Sequence, residues 1–500
     1  MKATYTRRQF LKRTGSAGLS VTALNVLTRT ATAQTGKPPN ILFFFPDQHR
    51  PDWTSINAGI GVRTPNMERL ARNGVRFTQA VCPSPLCAPS RACLALGREY
   101  DRTGVPSNKH DLPDEAVTFY KLLRDAGYRV GGVGKFDLRK AASDWGIDGR
   151  HRVNGRVYFD EWGFTDGIDS EGKGGSLIRI VNRDKPEQAR GESPYSKFLT
   201  DRNDGTLQRY LAWIGELRKA EHNYAFTKPM DIADDAYNDN WVGQNGLNLV
   251  ESFPTDQPWF LQVNFPGPHP PMDITPGMAE WYRDAAFPGP HKNDELAPEA
   301  HTAIRRNYSA MVENIDRWLG RYFEAIEQRG ELDNTIVVWS SDHGEMLGDH
   351  NLWGKQYPLQ PSAGVPLLVS GPGVQKGHVH GGPATILDLT ATFLDYAGVT
   401  RPDDMDSITM RPLLEGQTSV GRTHVLSGLN TWRLAFDGRF KLIRGYDPKS
   451  PKNQAYDNAG DSADVEILLF DLKSDPLEDT NIAAANPDIV KRLSAFLKPV

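Results

Sequence analysis

Four times along this 500-residue chain a short apolar run rich in β-forming residues stops abruptly at polar or charged residues, and that repeated break constrains the fold more than any other feature. Ile41–Phe45 leads into Pro46-Asp47-Gln48, Tyr128–Val133 into Gly134-Lys135-Phe136-Asp137, Trp259–Phe265 into Gly267-Pro268-His269, and Thr335–Trp339 into Ser340-Ser341-Asp342-His343-Gly344. Continuous apolar runs of this length suit strands buried on both faces, as in a parallel sheet covered by helices. One covering helix is legible: Ile304, Tyr308, Met311, Ile315, Trp318, Tyr322 and Ile326 recur every three or four residues, and the pattern stops before Gly330. In open α/β sheets ligands gather beyond the carboxyl ends of the strands. Asp47, Gln48, Lys135, His269, Asp342 and His343 are therefore expected to share one cleft. Taken singly, each is as readily a turn residue or helix cap; the repetition at four strand ends is what argues for a site.

The segment Cys87-Ala88-Pro89-Ser90-Arg91, continued to Leu96-Gly97-Arg98, predicts a short helix with Pro89 in its first turn and Gly97 at its end. Unpaired amides and the helix dipole at such an N-terminus favour an anion beside Cys87, and Arg91 and Arg98 add two cations. Cys82, Cys87 and Cys93 are the three cysteines of the chain. Their spacing alone is compatible with a metal knot, a disulfide plus a spare thiol, or small buried hydrophobes, although no histidine at finger-like spacing completes a zinc site.

The pattern Cys-x-Pro-Ser-Arg followed by Gly-Arg resembles the activation motif of the sulfatases, members of the alkaline phosphatase-like superfamily, in which the Cys becomes formylglycine. Pro39–Gln48 is similar to the family's opening metal strand, and Asp342–Lys355 to its second metal loop. The resemblance implies that Asp47, Gln48, Asp342 and His343, with the modified side chain of Cys87, bind one divalent cation. Calcium is usual there, with magnesium or manganese as the alternatives. It implies a hydrated aldehyde at residue 87 that attacks sulfur, releases the alcohol and then expels sulfate. Lys135 would hold a sulfate oxygen and residue 87, with Arg91 a catalytic-site cation beside them, and His269 and Lys355 would contact the sulfate and protonate the leaving oxygen. Three departures stand out. Leu96 replaces the usual Thr before Gly-Arg, and Asp137 stands where the family has His, as either a substituted base or a structural acid. Gln356–Gly364 lacks the Glu and Arg common before Val-Pro-Leu, which argues against the substrate choice of the common arylsulfatases.

Beyond about residue 415 the pattern changes. Trp432–Phe436, Asp437-Gly438 and Phe440–Ile443 read as a hairpin, Glu466–Leu472 as a further strand, and a last helix follows Asn481. The expected fold class is α/β: a large mixed, mostly parallel sheet flanked by helices, with a smaller C-terminal antiparallel α+β domain. The expected divisions are a signal peptide at 1–33, a catalytic domain at 35–415 and a small domain at 416–500. Within the second, 151–239 is polar and poorly periodic and reads as a long irregular insertion. Its Arg179, Arg183, Lys185 and Arg190 are either contacts for an anionic substrate or a solvated face.

Thr6-Arg7-Arg8-Gln9-Phe10-Leu11-Lys12, a weakly apolar run to about Leu27 and Ala31-Thr32-Ala33 read as a twin-arginine export signal with its cleavage site. The run falls short of the ~20 residues that span a bilayer, so no membrane anchor is expected and the destination is the periplasm or beyond. Such export carries folded proteins, which suits modification by a formylglycine-generating enzyme beforehand. A formal charge of −4 without long basic runs argues against a nucleic-acid partner. The expected activity is hydrolysis of sulfate esters, of a sulfated small molecule or, better, a sulfated carbohydrate. The alternatives are a phosphonate or phosphate ester hydrolase of the same superfamily, and a catalytically silent protein that binds sulfated glycans.

Overall fold

The computed structural model describes residues 37–141, 145–150, 152–153, 156–173, 193–449 and 465–497. The export signal and Arg179, Arg183, Lys185 and Arg190 lie outside them.

The strands run in chain order β1 (Asn40–Phe44), β2 (Gly74–Val81), β3 (Arg129–Gly134), β4 (Arg152–Val153), β5 (Arg156–Val157), β6 (Asp166–Asp169), β7 (Trp259–Asn264), β8 (Thr335–Trp339), β9 (Leu367–Ser370), β10 (His378–Thr385), β11 (Val425–Leu429), β12 (Trp432–Phe436), β13 (Phe440–Arg444) and β14 (Leu468–Asp471). Eight of them form one sheet in the order β10-β2-β9-β8-β1-β7-β3-β6. Every pairing in it is parallel except those of β9, which runs against both β2 and β8. The four apolar runs read from the sequence are β1, β3, β7 and β8. They stand side by side as β8-β1-β7-β3, with Ile41 opposite Phe260 and Ile336.

Each strand feeds two cores, as its period of two requires. Ile41 and Phe43 pack with Phe119, Phe260 and Phe393 on one face, while Leu42 and Phe44 pack with Ile315, Trp318, Tyr322 and Trp339 on the other. The first face is covered by helices Cys87–Leu96, Phe119–Asp125 and Asp388–Tyr396, and the second by the 31-residue helix Pro298–Gln328. Phe43 and Phe44 are fully buried, at about 1.5–3 kcal/mol each for a side chain of this class.

A second sheet, β11-β12-β13-β14, is antiparallel throughout. Its central hairpin turns at Asp437-Gly438: Asp437 Oδ1 accepts from the amides of Arg439 (2.9 Å) and Phe440 (2.7 Å), and Gly438 takes φ +93°, which a Cβ would disfavour. Helix Pro487–Ser494 seals one face through Leu493 against Ala435, Leu442 and Leu469.

The stretch read as an irregular insertion is more regular than expected. It holds the β4–β5 ribbon, β6 on the edge of the large sheet, and helices Pro194–Asp201 and Thr206–Leu217. Tyr210, Trp213, Ile214 and Leu217 carry a helical period whose residues are buried in the second core, a pattern hidden by the surrounding charges. Among the described residues no helix is long and apolar enough to cross a membrane.

Candidate active site

The carboxyl ends of β8, β1, β7 and β3 converge on Cys87, the first residue of its helix. Leu86 is the extended N-cap, and Gly97 closes the helix in the left-handed conformation at φ 63°. All ten residues of the helix are buried, so it is wedged between the sheet and its surroundings. One first-turn amide, that of Ala88, is satisfied by Asn108 Oδ1 at 3.0 Å. Ser90 Oγ donates to the Asp342 carbonyl at 2.6 Å, which pins the helix to the loop after β8.

Around the thiol, Lys355 Nζ lies 3.1 Å and Lys135 Nζ 3.4 Å from Sγ, and His343 Nε2 lies 3.4 Å away. Burial and Asp47 oppose ionisation of the thiol, but Lys135, Lys355 and Lys140 outweigh them and bring its pKa down to about 6. Burial pushes Cys82 and Cys93 the other way, well above the ordinary thiol value, and all three cysteines are free.

Arg91 is buried and bridges the Asp47 and Asp342 carboxylates. Its Nε donates to Asp342 Oδ2 at 2.9 Å, Nη2 lies 3.4 Å from Asp47 Oδ2, and Nη1 reaches the Lys135 carbonyl at 2.5 Å and Asn264 Oδ1 at 3.2 Å. Lys135 Nζ also pairs with Asp47 Oδ2. Burial opposes the charge on Asp47, yet Lys135, Lys355, His269 and Arg91 keep it well below the usual carboxylate range.

One oxygen each from Asp47 and Asp342, one nitrogen of His343 and Sγ of Cys87 all lie within 4.8 Å of one another. His343 Nδ1 lies 3.0 Å from the Gly344 carbonyl, so Nδ1 carries the proton and Nε2 presents its lone pair. That lone pair faces Asp342 Oδ2 at 3.6 Å and Asp47 Oδ1 at 3.8 Å. Three electron-rich atoms facing one another in a buried space is an arrangement a bound cation stabilises, and the donors fit a divalent ion. Gln48 joins from beside it. Its amide donates to Asp342 Oδ1 at 3.0 Å, its Oε1 accepts from Lys355 Nζ at 2.7 Å, and its Nε2 is held by Glu345.

The remaining expected residues separate. His269 is half-buried, with Nδ1 2.5 Å from the Pro270 carbonyl; burial and Lys355 hold its pKa well below the ordinary imidazole value, so it is neutral. Asp137 is buried and bound to Lys140 Nζ at 2.5 Å and Lys135 Nζ at 3.3 Å; burial opposes its charge, but those two lysines and Arg91 keep its carboxyl far below the usual range. Arg98, expected as a second cation near Cys87, is not part of the site. It leaves the far end of the helix and pairs with the exposed Asp404, because ten helical residues carry it about 15 Å along the axis.

Several supporting residues escaped the sequence reading. Asn264 ends β7 with Oδ1 on Arg91 and a buried Nδ2 that has no partner among the described residues. Tyr224 donates to Glu345 Oε2 at 2.8 Å, and Tyr308 donates to the Gln48 carbonyl at 2.7 Å. Asn264 carried a signal, a polar residue at a strand end, whereas the two tyrosines carried none. Gln48, Asp137 and Gln356 have φ of 68°, 55° and 84°, so non-glycine backbone in the left-handed region collects at this site, as it does where surrounding structure fixes functional side chains.

Comparison with known proteins places this geometry. The family profile described as Sulfatase matches residues 39–399, and one described as N-sulphoglucosamine sulphohydrolase, C-terminal, matches 348–498. An N-acetylglucosamine-6-O-sulfatase of Bacteroides thetaiotaomicron is 27% identical over 481 residues, spanning 89% of this chain and 83% of that protein. A solved structure of a complex with its substrate D-glucosamine-2-N,6-O-disulfate superposes with a TM-score of 0.68 at 20% identity, over 92% of this chain and 97% of the other. The phosphonate monoester hydrolase of Agrobacterium radiobacter does so with a TM-score of 0.70 at 21% identity, over 92% and 94%. With the profile covering most of its length, the chain belongs to the sulfatase family and is a sulfuric ester hydrolase.

Proposed function

We propose that this enzyme is exported through its twin-arginine signal and removes sulfate from a sulfated carbohydrate, using residue 87 after conversion to formylglycine and a calcium ion held beside it. The observation that carries the reading is the convergence of Lys135, Lys355 and His343 within 3.4 Å of Cys87 Sγ, at the meeting point of four strand ends. A formylglycine-generating enzyme would act on Cys87 before export. The family resemblance and a buried cluster of Asp47, Cys87, Asp342 and His343 support a metal there, with Gln48 as a further oxygen donor. The modified side chain would supply the oxygen nucleophile, and the cation would offset charge on the sulfate oxygens.

The other roles follow from this chain's contacts. Lys135 and Lys355 present ammonium groups to the sulfate, while Arg91, already committed to Asp47 and Asp342, orders the two carboxylates. His269 is neutral here, and a negative sulfate group beside it raises its pKa, so it acts with Lys355 as proton donor to the leaving oxygen once substrate is bound. A carboxyl held as low as that of Asp137 is a weak base, so its proposed work is to orient Lys135.

The sugar assignment is supported by the N-acetylglucosamine-6-O-sulfatase among the relatives. A phosphonate or phosphate ester activity is the second reading, because the phosphonate monoester hydrolase shares the fold as fully as the protein in complex with D-glucosamine-2-N,6-O-disulfate does. A panel of glucosamine 6-sulfate, 4-nitrophenyl sulfate, 4-nitrophenyl phosphate and a phenylphosphonate ester separates them. Turnover is expected to be highest on the sugar sulfate; preference for the phosphonate would reverse the assignment.

A further inference from the structure

His291, His350 and Asp479 come from three distant parts of the chain and meet on the surface, apart from the buried cluster. One ring nitrogen of each histidine and one oxygen of Asp479 lie within 4.8 Å of one another. His291 Nε2 sits 2.9 and 3.0 Å from the two oxygens of Asp479. His350 Nε2 lies 2.9 Å from the Leu477 carbonyl, which puts the proton on Nε2 and leaves Nδ1 its lone pair. The two rings meet edge to face, 5.1 Å between centroids. The backbone is also arranged for this meeting. The His350 amide donates to the His291 carbonyl at 2.8 Å, and His291 N donates to Asp349 Oδ1 at 2.9 Å. Lys292, His350 and Glu478, at or next to the three residues, have φ of 49°, 56° and 59°. Side chains rarely adopt that region unless the surroundings impose it.

We infer that His291, His350 and Asp479 form a second metal site, for a borderline divalent ion of the zinc class. Two imidazoles and a carboxylate are a donor set of that class, with water completing four-coordination. Bond lengths of about 2.0–2.1 Å in a tetrahedron place ligand atoms roughly 3.3 Å apart, so the 2.9–3.0 Å between His291 and Asp479 needs only a few tenths of an ångström of opening. The ion takes the place of Lys292 Nζ, which lies 2.6 Å from Asp479 Oδ1 on a half-exposed side chain. Its binding ties the 349–351 turn, a few residues ahead of Lys355, to the segment that follows β14. The inference is independent of the substrate and modification proposed above.

The test is a calorimetric titration of zinc chloride into untagged full-length mature protein held in excess calcium, paired with diffraction at the zinc edge. One equivalent of zinc is expected to bind with an anomalous peak between His291 and Asp479. Affinity is expected to fall about 100-fold or more in H291A and in H350N, the latter chosen because Asn accepts the left-handed backbone, and to rise in K292M. Absence of zinc uptake by the wild-type protein overturns the inference. So does uptake that survives H291A, or an anomalous peak confined to the Asp47, Asp342 and His343 cluster.

Discussion

Two of the regions where this molecule buries charge arrange it differently. Under the small sheet, Lys441 and Glu478 are 0% and 1% exposed and form a closed set: Nζ to Oε1 at 2.7 Å, Nζ to the Pro358 carbonyl at 3.3 Å, and Oε2 accepting the Gln360 amide at 2.5 Å. Around Cys87 the set is open. The His343 lone pair faces two carboxylates, Asn264 Nδ2 lacks a partner among the described residues, and two ammonium groups point at one sulfur atom. The closed set docks the small sheet onto the 356–364 loop that follows Lys355, with Trp432 Nε1 donating to the Gln356 carbonyl at 3.3 Å as a second tie. The open set keeps binding capacity in reserve for an ion and an anion. A buried pair closed on itself organises structure, whereas a cluster in which several cations and lone pairs crowd one point marks where a ligand completes the balance.

The contrast is broken most severely at Cys87. Cys87→Ala is expected to lower sulfate ester turnover by about 10⁴-fold or more while leaving the melting temperature nearly unchanged, read by initial rates beside a thermal melt. Lys355→Ala, which removes one ammonium from the open set, is expected to cost about 10²–10³ in kcat, again with little loss of stability. Glu478→Gln should behave in the opposite sense. It leaves Lys441 buried without its counter-ion and is expected to cost about 3–5 kcal/mol in denaturant unfolding, while the fraction that folds keeps most of its kcat. A Glu478→Gln enzyme that melts normally but turns over poorly would erase the distinction between the two regions.

The pH response sharpens it further, in chain produced without conversion of Cys87. The thiolate is the species that reacts, and a pKa brought down to about 6 puts half-reaction near pH 6, with the methyl methanethiosulfonate rate rising from pH 5 to 7 and then flat. Cys82 and Cys93, pushed upward by burial, are expected to stay unreactive across that range, as peptide mapping at each pH will show. The smallest effect belongs to Arg98→Ala. Its partly exposed pair with Asp404 is worth at most about 1 kcal/mol, and kcat should not change.

How much of this was legible in the sequence follows from the kind of signal each part leaves. The strands β1, β3, β7 and β8 were readable because burial on both faces demands unbroken apolar runs, and their ends marked Asp47, Lys135, His269, Asp342 and His343 directly. Their adjacency, and the antiparallel pairing of β9 with β2, depend on contacts between segments one to three hundred residues apart and leave no local trace. The 151–239 stretch was read as irregular because the polar and charged segments on either side of helix Thr206–Leu217 dominated it and the period of Tyr210, Trp213, Ile214 and Leu217 is only twelve residues long. Arg98 was misplaced because proximity in sequence was taken for proximity in space, whereas a helix sends its two ends apart. Tyr224 reaches the site from a segment without any motif and Tyr308 from a helix whose apolar period marked it only as core, so only the folded chain brings them to Glu345 and Gln48.

The claim on which the rest depends is that residue 87 works as an aldehyde rather than a thiol, and it is tested most directly by the mass of the peptide spanning residue 87 in protein purified from its native host. Conversion of the thiol to the aldehyde removes about 18 mass units, whereas a disulfide removes about two per linked pair. The account predicts the loss of about 18, together with reaction of that peptide with a hydrazide probe. An unmodified or disulfide-bonded Cys87 in active enzyme would contradict it.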